Sequence, residues 1–160
     1  MRNFLTNSLL PTYYLYPRQP YLKLKYSVYR SRPHGIMFHH FHDGDKHPPS
    51  QGSINGDQFD RMLTYLKGKY GLLSANEWYE LARAGYLEPG QVCITFDDNL
   101  LCQYEIAGPV LAQHGLTAFF FVYTSPLTGV AERLEIYRHF RTTRYVHMDD
   151  FYHDFHKALA

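Results

Sequence analysis

Only two cysteines, Cys93 and Cys102, occur in the 160 residues, and they do not form a C-x-x-C pair. A disulfide framework is therefore excluded, nothing demands an oxidising compartment, and reduced thiols are expected. Charge of one sign is equally scarce. A formal net charge of +1 produces no global field to attract nucleic acid or an anionic membrane, so neither is an expected partner. No run approaches the roughly 18 to 20 apolar residues that span a bilayer. The first residues carry one positive charge, but Asn7, Ser8 and Pro11 interrupt the apolar run before a secretory core forms. No signal peptide is expected, and the cytoplasm is the expected location. There is no Gly-rich phosphate cradle with its Lys and Ser/Thr, and no serine nucleophile elbow, which argues against phosphate chemistry and elbow-type serine hydrolysis.

The residues present describe a chain that folds. Hydrophobic residues make up 45% and charged residues 19%, a globular balance, and the length suits one domain with a real core. Tyrosine is abundant, 15 residues against a single tryptophan, and such amphipathic rings serve sugar-facing or partner-facing surfaces as well as cores.

Residues 1–34 form a Tyr-, Pro- and Arg-rich arm. Within it Leu22, Leu24, Tyr26 and Val28 alternate with Tyr21, Lys23, Lys25 and Ser27, which predicts a strand or extended segment. Gly35 to His39 reads as a buried strand running into a polar loop. Phe59, Met62, Leu63 and Leu66 recur at helical spacing over Asp57 to Tyr70, with Gly71 as the stop. Ser74-Ala75-Asn76-Glu77 has the capping-box pattern and opens a second helix ending near Gly85. Val92 to Phe96 is a short apolar run and predicts a buried strand. A helix follows from Leu100 to His114, to be kinked or restarted by Pro109. Thr117 to Tyr123 predicts another buried strand. Glu132 to Arg141 and Asp149 to Leu159 predict helices, the latter packing Phe151, Tyr152 and Phe155 on one side. Strands alternating with helices imply right-handed β-α-β units and a parallel sheet. Three or four strands are too few to close a barrel, which takes about eight.

In such folds chemistry collects where the strands end, and Asp97 and Asp98 follow the strand Val92 to Phe96 directly. Two readings stand side by side. The pair can cap the helix that begins near Leu100. Alternatively, as the chain turns off the sheet, both carboxylates can face one cleft, where one binds a divalent ion and the other accepts a proton from activated water. Without further context His39 reads as a polar strand residue, and Cys93 as a small buried hydrophobe.

The segment Ile94-Thr95-Phe96-Asp97-Asp98 is followed by Ala107-x-Pro109-Val110-Leu111 and by Gly115-Leu116-Thr117-Ala118-Phe119-Phe120-Phe121-Val122. This series resembles the NodB-type polysaccharide deacetylases, carbohydrate esterase family 4. Glu77-Trp78 with the leucine-bearing helix before it is also similar, and Gly35 to His39 resembles the strand ending in Tyr-His of the branch with permuted motif order. The likeness covers about residues 35 to 123. It implies a partial or distorted (β/α) barrel that hydrolyses the N-acetyl group of a saccharide or saccharide precursor, releasing acetate and a free amine. By the same resemblance Asp97 is the general base, Asp98 the carboxylate that binds a divalent metal, zinc by expectation, and His39 the general acid. The family's glycine after the acid pair is Asn99 here, the residue next most tolerant of left-handed backbone.

The family's other metal ligands come from a His-x-x-x-His motif, and none of the ten histidines has a partner four residues on. Residues 35–160 are accordingly expected to be an incomplete deacetylase-like domain, truncated at the C-terminus. Alternatively, His40 and His42, on one face of the same strand, supply substitute ligands beside Asp98 in a diverged but complete hydrolase. A third alternative is a degenerate, non-catalytic sugar-binding or interaction module of the same fold. His139, His147, His153 and His156 are expected on helix surfaces. No residue is assigned to substrate binding.

Overall fold

The computed structural model describes residues 32–50 and 52–159; the expected strand Tyr21 to Tyr29 lies outside them. In chain order the elements are β1 (His34–Phe38), α1 (Gly56–Lys69), β2 (Gly71–Leu72), α2 (Ala75–Ala84), β3 (Gln91–Phe96), α3 (Gly108–Gln113), β4 (Phe119–Phe120), α4 (Arg133–Arg144) and α5 (Met148–Leu159). A π-helical segment, Gln103–Ala107, leads into α3, and a 3-10 turn, Ser125–Thr128, follows β4.

β3 is the spine of a mixed α/β fold with a parallel sheet. β1 runs along its whole length, placing Gly35 opposite Cys93 and Phe38 opposite Phe96. The other edge of β3 is shared: β2 pairs with Gln91 and Val92, and β4 with Thr95 and Phe96. Every pairing is parallel, as alternating strands and helices require. The sheet is open among the described residues. Val92 to Phe96 are all buried, consistent with an unbroken apolar run rather than an alternating one in a strand covered on both faces.

α1 lays Phe59, Leu63 and Leu66 onto this sheet. Phe59, fully buried, meets Phe38 and Phe41 edge to face at centroid distances of 5.0 and 5.1 Å. Full burial of such a side chain contributes roughly 1.5–3 kcal/mol. β1 approaches β3 closely because Gly35 has no side chain: a Cβ there would stand 2.7 Å from Thr95 Cγ2.

Several boundaries differ from the expectation. α1 ends in an extended Tyr70, and Gly71 begins β2 instead of acting as a left-handed stop. Ser74 does not cap α2; its hydroxyl pairs with Thr117 at 2.8 Å. The capping box belongs to Asn55 and Gln58 at the start of α1, each side chain bonding the other's backbone at 2.8 Å. Pro109, which has no N–H, is accommodated by the π-helical turn before it, where the Gly108 N–H reaches back to the Gln103 carbonyl. The expected buried strand Thr117 to Tyr123 shrinks to Phe119–Phe120, which pairs only with β3 among the described residues, and Phe120, Phe121 and Val122 are 44–55% exposed. Phe151 and Phe155 of α5 stack on each other, and Phe151 also meets Tyr145; α5 has no buried residue. No helix among the described residues is long and apolar enough to cross a membrane.

Candidate functional site

The register of β1 on β3 brings two strand ends together. Phe38 lies opposite Phe96, so His39 and Asp97 leave the sheet side by side, and the Asp97 N–H points at the Phe38 carbonyl, 3.5 Å away. The chain then turns sharply. Asp98 and Asn99 both take left-handed backbone, with φ of +72° and +52°, a conformation Asp and Asn accept more readily than other side-chain-bearing residues. Two consecutive such residues store strain of order 1 kcal/mol each. The turn brings the second carboxylate round to the first: single donor atoms of His39, Asp97 and Asp98 lie within 4.8 Å of one another.

Asp98 is buried and saturated with donors. Its Oδ2 accepts from His39 Nδ1 at 3.0 Å and from Arg138 Nη1 at 3.1 Å, and its Oδ1 accepts from the Tyr123 hydroxyl at 2.8 Å. Burial pushes the carboxyl upward, but the hydrogen bonds from Tyr123, Arg138 and His39, with the charge of Arg138, outweigh it and hold the group below its usual range. The same bond to Asp98 drives the Tyr123 phenol up to about 12. Asp97 Oδ1 accepts from the Asp98 N–H at 2.9 Å. Neither acid caps the following helix, since the Leu100 N–H goes to Gln103 Oε1.

Arg138, one turn into α4, links a second group. It donates to Glu135 Oε1 at 2.6 Å and meets His40 Nε2. His40, Asp98 and Glu135 also bring single donor atoms within 4.8 Å of one another. Burial first, then the charge of Arg138, lowers the His40 pKa to about 4. At neutral pH its ring is therefore uncharged, and its 3.5 Å approach to Glu135 is not an ion pair. Burial also raises the Glu135 carboxyl against the pull of Arg138. Nitrogen and carboxylate oxygen are suitable donors for a divalent ion, so the chemistry of both groups fits a metal, although in the second the guanidinium of Arg138 already faces all three acceptors.

His42 lies apart from both groups. Its Nδ1 is 2.8 Å from Ser53 Oγ in the loop after β1, and it joins no such group among the described residues. His139, His147, His153 and His156 are exposed. Both cysteines are buried, and desolvation pushes the Cys93 thiol up to about 11.

Four residues that hold the site were not singled out from sequence: Gln103, Tyr123, Glu135 and Arg138. Gln103 is almost wholly buried. Its Nε2 donates to the His39 carbonyl at 2.9 Å and also to the Asp97 carbonyl, tying the two strand ends together. Its spacing in Leu100, Gln103, Ala107 and Val110 puts a polar side chain on the apolar face of the helical run, which is a readable signal. Tyr123, Glu135 and Arg138 are 25 to 40 residues beyond Asp98 in the chain and carry no local signature.

No family model matches the chain, and no curated protein matches it. Among solved structures the chain is similar to the Streptococcus pyogenes deacetylase PplD in complex with acetate, at 27% identity and a TM-score of 0.43, over 57% of this chain and 42% of that one. The chain thus spans less than half the length of that structure.

Proposed function

We propose that the chain carries the acid, base and carboxylate ligand of a metal-dependent deacetylase, a distorted (β/α) barrel acting on an N-acetylated saccharide or its precursor. The observation that supports this most directly is the contact of His39 with Asp98, at 3.0 Å, beside a second carboxylate at the paired ends of β1 and β3. Asp98 would be the carboxylate ligand of the divalent ion, zinc by expectation, with His40 and Glu135 as the donors beside it; Arg138, which now donates to all three, would have to withdraw to admit the ion. The chemistry such an ion supplies is Lewis acidity toward the acetyl oxygen and acidification of water. Asp97 accepts the proton of the attacking water. Its carboxylate is held by the Asp98 N–H and keeps a free oxygen for that purpose. As the C–N bond breaks, His39 delivers a proton to the leaving nitrogen, giving acetate and a free amine. The His39 ring is 45% exposed and so is reachable by substrate.

The test is acetate release from N-acetylated saccharides with added zinc. Asp97→Asn should lose activity about 100-fold or more, the scale of a general base, with zinc binding retained in equilibrium dialysis. Asp98→Ala should lose both. Full activity in both variants would show that the acids are not the catalytic pair. A second reading, a sugar-binding module without catalysis, is favoured by the three protein donors that already saturate Asp98. It predicts saccharide binding with no zinc bound.

A further inference from the structure

A cavity of about 460 Å³ opens beside His39 and His40, walled by Met37, Met62, Arg138 and Arg141 among others. That volume falls within the ordinary range for small-ligand sites, roughly 300–1,000 Å³. No aspartate or glutamate lines it. The two guanidinium groups differ in one respect. Arg138 is neutralised by Asp98 and Glu135. Arg141, one turn further along α4, makes no ion pair with a described residue, and its Nε is buried without a hydrogen-bond partner among them. A guanidinium with no protein counter-charge keeps its charge for an outside anion, and the planar fork of arginine matches the paired oxygens of a carboxylate or phosphate. The lining also includes Met37, Phe38, Ile54 and Met62, apolar side chains that suit the C–H face of a sugar ring.

We propose that this cavity binds the anionic group, carboxylate or phosphate, of a charged N-acetylated saccharide, with Arg141 as its partner. The saccharide part rests on the deacetylase reading above; the anion preference rests on the cavity alone. His39 is shared by the cavity wall and the catalytic group, so a ligand anchored at Arg141 lies next to the residue that donates the proton.

The experiment is calorimetric titration of the full chain with three probes: N-acetylglucosamine, N-acetylmuramic acid and N-acetylglucosamine 6-phosphate. At least one charged sugar should bind about tenfold or more tightly than the neutral one, the worth of one charge-assisted hydrogen bond. Which one does so separates carboxylate from phosphate. Arg141→Gln, with its fold checked by circular dichroism, should abolish the preference, and Arg141→Lys should keep part of it. Equal binding of all three probes, no binding of either charged sugar at millimolar concentration, or an intact preference in Arg141→Gln would each overturn the proposal. Acetate release as fast from the neutral sugar as from the charged ones would also overturn it, and would leave deacetylation standing. Tight binding of a charged sugar with no acetate released at any zinc concentration would sink the deacetylase reading and leave the anion site intact.

Discussion

Replacing Asp98 by Asn isolates the charge of one carboxylate from its shape. Both residues tolerate the left-handed backbone at φ +72°, so the turn after β3 is not penalised, as it would be by Ala. The amide oxygen can still face His39 and Arg138, and the amide nitrogen can donate to the Tyr123 hydroxyl, so the hydrogen bonds survive in neutral form. What is lost is charge assistance, worth about 1 kcal/mol per bond. His39 is half exposed and Arg138 keeps Glu135, which reduces the sum, and relief of the buried charge returns part of it. A net loss of about 1–2 kcal/mol remains, and its sign follows from the lowered Asp98 pKa, which says that the folded protein favours the charged form. Asp97→Asn is the control, because its oxygen accepts only a backbone N–H that an amide oxygen also accepts; it should cost less than about 0.5 kcal/mol. Urea unfolding in the presence of a chelator measures both free energies, and in thermal unfolding the Asp98 variant should melt roughly 3–6 °C lower than the control. If Asp98→Asn proved as stable as Asp97→Asn, the three donors would not be stabilising the charge and the account of the site would be wrong.

Three further outcomes follow from the packing. Phe59→Ala, at the centre of the Phe38, Phe41 and Phe96 cluster, should cost about 3–5 kcal/mol in chemical denaturation; less than 1 would mean the cluster is loosely packed. Gly35→Ala drives a methyl against Thr95 and should cost about 1–3 kcal/mol, with the loss reduced when Thr95→Ser removes the opposing methyl; strict additivity in that double-mutant cycle would refute the close approach. Burial raises the Cys93 pKa to about 11, so the neutral thiol is the folded form up to that pH. A thiol reagent at pH 8 should therefore label Cys93 only through unfolding; rapid labelling in native buffer would contradict its burial.

Much of the fold is legible locally. The unbroken apolar run Val92 to Phe96 identifies a strand covered on both faces, and Phe59, Leu63 and Leu66 place α1 against it, because periodicity and burial are properties of neighbouring residues. The Asp97-Asp98-Asn99 sequence at the end of that run marks a turn built from Asp and Asn, the residues most tolerant of left-handed backbone after glycine. Other signals were ambiguous: Ser74 carries a capping pattern, but a partner 43 residues away, Thr117, takes its hydroxyl. Thr117 to Tyr123 is apolar enough for a long buried strand, yet only Phe119 and Phe120 pair as strand residues with β3.

By itself the sequence determined β1, β3 and α1 and that two acids stand where β3 ends, since those follow from spacing along the chain. Only the tertiary structure decided what surrounds the acids: that His39 and not His42 reaches Asp98, that Gln103 ties the two strand ends together, and that Arg138 and Glu135 enter from α4. Those contacts join residues far apart in sequence. Their formation depends on the register of β1 on β3 and the packing of distant helices, which no local pattern records.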